Sequence, residues 1–212
     1  MPFAALILDL DGVLADTEPI HARAWEAVLE GIPREAISRA REWWVGMASL
    51  DIARQLIREL GIARAAEELV AEKRRHLRDL VRGALAPFPG LARELEEWKG
   101  FPLALATAGA RREAALMLEI MGFRGLFDPV VTLEDVARPK PAPDCYLLAA
   151  KLLGKKPEEC TVVEDSTHGV RAGVDAGMRV LAVSASPPPH ALVAGAEAVF
   201  PSTVEALRWL RG

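Results

Sequence analysis

Phe3-Ala4-Ala5-Leu6-Ile7-Leu8-Asp9-Leu10-Asp11-Gly12 decides the fold. It is a short continuous apolar run that stops at two acids and a glycine. A run of this length with no polar face suits a strand buried on both sides within a parallel sheet. Comparable runs recur at 102–106, 129–133, 161–163 and 179–183, and Val199-Phe200 offers one more. Helix-period segments lie between the later ones, at 111–121, 142–153 and 168–176. Strand and helix alternating in this way predict a doubly wound, Rossmann-like α/β core.

Residues 17–82 break the alternation. They carry helical stripes, Ile20, Ala24, Trp25 and Val28 on one and Leu69, Val70, Leu77, Leu80 and Val81 on another, with no strand-like run. The expected organisation is therefore an α/β core from 1–16 and 83–212, with a small all-helical domain from 17–82 inserted after the first strand. Gly83 and Pro87-Phe88-Pro89-Gly90 supply the return linker. The triple proline of Ser186-Pro187-Pro188-Pro189 reads as a short rigid loop.

The chain of 212 residues is 51% hydrophobic, enough to bury a sizeable core. Its net charge of −4 and the absence of a concentrated basic stretch argue against a nucleic-acid surface. Lys73-Arg74-Arg75-His76 falls in a helical pattern and reads as a solvated helix face. Cys145 and Cys160 lack metal-ligand spacing, and a pair of isolated thiols suits a reducing compartment. The opening segment has no basic region ahead of its apolar run, and no stretch approaches the length of a membrane span. A cytoplasmic globular protein is expected.

Ligands of open α/β sheets bind beyond the carboxyl ends of the strands. Asp9 and Asp11 stand there and share one face, since residues i and i+2 of a strand point the same way. A turn-forming acid pair would read the same in isolation. Glu164-Asp165-Ser166 closes another apolar strand with acids, which alone could cap the next helix. Carboxylates converging at about 4 Å repel by roughly 4 kcal/mol per pair at an effective dielectric of 20. Such a cluster persists only with a cation or raised pKa values. Oxygen ligands without His or Cys favour Mg²⁺ over zinc.

Two further strand ends supply donors. Thr107-Ala108-Gly109 offers a hydroxyl and backbone N–H groups at a helix start, although a Thr N-cap reads equally well. Arg138-Pro139-Lys140-Pro141-Ala142-Pro143 fixes one lysine in a proline-stiffened loop. An acid cluster beside a hydroxyl, backbone donors and a lysine is the inventory of phosphoryl transfer.

These elements in this order resemble the haloacid dehalogenase superfamily, with the match spanning the chain: Asp9 to Glu18, Thr107, the Arg138 to Leu147 segment and Val162 to Gly173. The helical insert looks like the cap of phosphoglycolate phosphatase and β-phosphoglucomutase relatives. The resemblance implies that Asp9 is a nucleophile forming an aspartyl-phosphate, and that Asp11 is the general acid and base. It further implies that Thr107 and the Ala108 N–H grip phosphoryl oxygens and that Lys140 neutralises charge. Asp9, the Asp11 carbonyl and Asp165 would hold Mg²⁺, with Glu164 beside them. His21 and Lys73 are implied substrate-binding residues of the cap. The expected partner is a small phosphorylated metabolite, with no nucleic acid or membrane, and the expected state is a monomer or weak homodimer.

Two departures distinguish this chain from β-phosphoglucomutases. Their Gly-x-x-Arg turn reads Gly46-Met47-Ala48-Ser49 here, and Ala110 replaces a lysine three residues after the Thr107 position. Both cations would grip a second phosphate. Arg111, Arg112 and Arg54 remain candidates for that role, and Trp43 and Trp44 for either pocket lining or packing. A phosphatase of sugar-phosphate or phosphoglycolate type is the leading expectation. An intramolecular phosphate shift and a non-catalytic phosphate-binding protein are the alternatives.

Overall fold

A computed structural model describes residues 3–44, 47–188 and 190–212, leaving Glu42, Trp43 and Ala191 without described side chains. By compactness the chain divides into two units, Met1–Asp16 with Ala86–Gly212, and Thr17–Leu85.

The first unit is built on six parallel strands: β1 (Ala5–Leu8), β2 (Leu103–Ala106), β3 (Val130–Val131), β4 (Cys160–Glu164), β5 (Arg179–Val183) and β6 (Ala198–Phe200). Their spatial order is β3-β2-β1-β4-β5-β6. Every residue of β1, β2 and β4 is buried, which is why these strands carry no polar face. Alternate residues Ala5 and Ile7, Ala104 and Ala106, Cys160 and Val162, and Val180 and Ala182 form one sheet surface. Against it pack α7 (Asp144–Leu152) and α8 (Thr167–Asp175), through Tyr146, Ala149, Val170 and Ala172. The sheet is also flanked by α5 (Leu91–Glu96), α6 (Arg111–Ile120), α9 (His190–Val193) and α10 (Thr203–Arg211). Buried Glu94 on α5 pairs with Arg208 and Arg211 on α10, at 3.2 and 2.9 Å.

Strand order reverses between β1 and β4, whose register pairs Leu8 with Val163. That is the switch point where such sheets open a crevice at their carboxyl ends. The run at 129–133 is shorter as a strand than its apolar pattern suggests. Thr132 caps a single 3-10 turn at Leu133–Asp135 by accepting from and donating to the Asp135 segment, and this ends β3. Prolines 141 and 143 likewise delay the start of α7 to Asp144.

The second unit contains α1 (Glu18–Val28), α2 (Arg34–Trp44), α3 (Ser49–Leu60) and α4 (Ala66–Ala84), with no strand among its described residues. Trp25, Val28, Trp44, Ile52, Leu56, Leu69 and Val70 form its core. Trp44 packs on Trp25 with ring centroids 6.5 Å apart, which accounts for it as packing. Gly46 and the Trp43 side chain lie outside the described residues. Gly83 sits within the last turn of α4 rather than in the linker. Lys73 departs from the solvated face expected of the 73–76 stretch. It is 2% exposed, in line with Leu69, Val70 and Leu77 on the buried stripe.

Candidate active site

Asp9 follows β1 directly, and its backbone N–H donates to the Val163 carbonyl at 3.1 Å. This long-range bond brings the ends of β1 and β4 side by side, and with them Asp9, Glu164 and Asp165. After Asp9 the chain turns sharply: the Gly12 N–H donates to the Ala15 carbonyl at 2.9 Å. Gly12 has a φ of +68°, and a Cβ there would fall 1.7 Å from Asp165 Oδ2. Glycine is required on both counts, by backbone conformation and by the space Asp165 fills.

Lys140 enters from its proline-rich loop, and its side chain is buried. Its Nζ donates to Asp9 Oδ1 at 2.8 Å, Glu164 Oε1 at 2.7 Å and the Ala106 carbonyl at 3.0 Å. An ammonium has three N–H groups, so all are engaged and its position is determined. The third bond ties the lysine to the end of β2, immediately before Thr107.

Glu164 is fully buried and saturated with donors. Oε1 also accepts from the Tyr146 hydroxyl at 2.9 Å. Oε2 accepts from the Asp165 and Ser166 backbone N–H groups and from Ser166 Oγ, at 2.9, 2.9 and 3.0 Å. Ser166 is the N-cap of α8, accepting from the Gly169 N–H at 3.0 Å. Gly169 is the companion of Glu164, since a Cβ there would lie 1.6 Å from Oε1.

One lysine does not balance this set of acids. Burial, opposed by Lys140 and reinforced by the charges of Glu164 and Asp11, raises the Asp9 carboxyl to about 7. Burial and the charges of Glu164, Asp9 and Asp11 raise Asp165 to about 9. Glu164 goes the other way. Burial alone would raise it, but Lys140 and the Ser166 and Tyr146 hydrogen bonds hold it below the ordinary range. Lys140 is itself pushed up by Asp9 and Glu164 in spite of burial. Carboxylate oxygens of Asp9, Glu164 and Asp165 lie within 4.8 Å of one another. Two acids displaced upward in an all-oxygen cluster fit a site that could hold a cation, which would return them to the ionised form.

The remaining expected residues are placed as follows. Asp11 is half-buried in the turn after β1, near enough for its charge to act on Asp9 and Asp165. Thr107 is 2% exposed, and its Oγ1 accepts from the Gly109 N–H at 2.9 Å, so it shapes the loop rather than capping α6, whose N-cap is Ala110. Ala108 is exposed in that loop. In the helical unit, Lys73 Nζ stands 2.7 Å from His21 Nδ1, joining α4 to α1. Arg111 is held by Glu134 and Asp135, and Arg54 by Asp51 at 3.5 Å. Cys145 and Cys160 are free buried thiols.

Tyr146, Ser166 and Gly169 lie within the motif stretches of the sequence, but sequence reasoning gave them no role. A buried tyrosine must find a partner for its hydroxyl, and Tyr146 is the chain's single tyrosine. Its partner stands 18 residues away, which no local spacing reveals.

Residues 3–177 match the haloacid dehalogenase-like hydrolase family. The fructose-1-phosphate phosphatase YqaB of Escherichia coli is 33% identical over 184 residues, covering 83% of this chain and 94% of that protein. The β-phosphoglucomutase of Bacillus subtilis is 29% identical over 192 residues, covering 87% and 84%. Among solved structures, CbbY from Rhodobacter sphaeroides in complex with phosphate superposes with a TM-score of 0.84 at 28% identity over 96% of both chains. Together with the acid–lysine cluster at the sheet's switch point, these likenesses make the chain a member of the haloacid dehalogenase-like hydrolases.

Proposed function

We propose that this protein is a Mg²⁺-dependent phosphatase of a small phosphorylated metabolite, a sugar phosphate or phosphoglycolate type of monoester, with Asp9 as its nucleophile. The observation that carries the reading is Lys140 bridging Asp9 Oδ1 and Glu164 Oε1 where β1 and β4 end. Lys140 occupies one Asp9 oxygen and leaves Oδ2 to attack. In the first step Oδ2 bonds to phosphorus and the ester P–O bond breaks. The departing alkoxide takes the proton of the Asp11 carboxyl. In the second step the Asp11 carboxylate takes a proton from water as its oxygen bonds to phosphorus. The bond to Asp9 then breaks and inorganic phosphate leaves. Lys140 balances the charge held between Asp9 and the phosphoryl oxygens, while Thr107 and the Ala108 N–H receive the others.

Asp9, Asp165 and the Asp11 carbonyl would hold the ion, and Glu164, saturated by protein donors, stands behind them. A bound Mg²⁺ supplies charge stabilisation to the phosphoryl oxygens. Hard oxygen donors with no His or Cys support Mg²⁺ over softer metals. His21 and Lys73 are proposed substrate contacts, supported by the resemblance. Hydrolysis is favoured over an intramolecular phosphate shift by Ala110 and by the pairing of the Arg111 guanidinium with Asp135. No described helix is long and apolar enough to cross a membrane; a cytoplasmic location is part of the proposal.

A panel of phosphate monoesters assayed for free phosphate, with Mg²⁺ and with EDTA, tests the reading. Phosphate should appear only with the ion, and the Asp9→Asn variant should release none. β-Glucose 1-phosphate turned into glucose 6-phosphate without net phosphate release would establish the mutase instead. Full turnover by Asp9→Asn would remove the nucleophile assignment.

A further inference from the structure

We propose that Tyr146 is a positioning residue of this site, acting through Glu164 to govern how Lys140 is shared between Glu164 and Asp9; this rests on the phosphatase reading above. Tyr146 is wholly buried in the first turn of α7, within the core under the sheet. Packing alone would be served by phenylalanine, and a buried hydroxyl is costly unless it is used. Its use is specific. The hydroxyl donates to Glu164 Oε1 at 2.9 Å, the same oxygen that receives Lys140 at 2.7 Å. The ring meanwhile presents its face to Lys140 Nζ, 4.8 Å from the centroid.

Lys140 has no spare N–H, so Glu164 and Asp9 compete for one ammonium. Each neutral donor on Glu164 disperses its charge and weakens its pull on the lysine. The amides of Asp165 and Ser166 and the Ser166 hydroxyl act on Oε2. Tyr146 alone among the described donors shares Oε1 with Lys140. Without its hydroxyl, Lys140 becomes the single partner of that oxygen and is drawn away from Asp9. The reacting carboxylate then loses opposing charge, although no group near the substrate has been altered.

Tyr146→Phe keeps the ring, its packing and its face toward Lys140, and removes the hydroxyl. Its kcat should fall about 10-fold, the lower end for a lost supporting hydrogen bond at such a site, with KM nearly unchanged. Glu164→Gln should also lower kcat, and adding Tyr146→Phe to it should cost little more, because the hydroxyl acts through the Glu164 charge. A full additional 10-fold loss in the Gln background would show a packing effect and overturn the proposal. As a measure independent of turnover, [ζ-¹³C]tyrosine labelling yields one signal, since the chain has a single tyrosine. That signal should move in Glu164→Gln, and an unmoved signal counts against the coupling. An active wild type with an unimpaired Tyr146→Phe overturns this proposal alone. A wild type that releases phosphate from no monoester overturns the phosphatase reading and this proposal with it.

Discussion

Gly169→Ala sets two physical effects against each other with opposite signs. Gly169 is helical, and alanine is the better helix former by about 1 kcal/mol. Propensity alone therefore predicts a stabilised protein. The added methyl, however, would lie 1.6 Å from Glu164 Oε1 and 1.9 Å from its carboxyl carbon, distances no real contact adopts. The carboxylate must leave, and with it the bonds from Lys140, Tyr146 and the start of α8. Breaking a buried ion pair costs roughly 3–5 kcal/mol, so the net loss should be about 2–4 kcal/mol. At about 2–4 °C per kcal/mol for a chain of this size, the melting temperature should fall by roughly 5–15 °C, and phosphatase activity should fall with it. Gly83→Ala is the matched control. It lies in α4 with open space around it, and should raise stability by up to about 1 kcal/mol. Thermal denaturation followed by circular dichroism reads both variants. A Gly169→Ala protein that melts at or above wild type and retains full turnover would refute the placement of Glu164.

Two other predictions concern charge. Burial and the neighbouring carboxylates raise Asp9 from its ordinary 3.8 to about 7 and Asp165 to about 9. Raised carboxyl groups stabilise the fold below the unfolded value and lose that contribution as pH climbs through the folded ones. In EDTA the melting temperature should thus fall between pH 6 and 9, less steeply for Asp165→Asn, and Mg²⁺ should restore more at pH 8 than at pH 5.5; a slope that Asp165→Asn leaves unchanged would exclude this origin. Lys73→Met, close in volume but without the bond to His21, should cost about 1–3 kcal/mol of stability while raising KM, and an unaltered KM would make Lys73 purely structural.

What the linear chain settled was class and cast. Runs apolar on both faces suit strands buried inside a parallel sheet, and ligands of such sheets bind at the carboxyl ends, so the α/β core was legible and Asp9, Asp165 and Lys140 stood out as candidates. The helical nature of 17–82 was legible for the same reason, since 3.6-residue periodicity is a local property. Tertiary structure alone decided who touches whom. Lys140 reaches Asp9 across 131 positions, and nothing local announces that Glu164 will be encircled by donors or that Tyr146 will supply one. Lys73 shows the limit most plainly: its basic neighbours advertise a solvated face, yet the stripe of Leu69, Val70 and Leu77 carries it into the interior. Periodicity specifies which residues share a helix face, but burial of that face is fixed only when another element, here α1 with His21, packs against it.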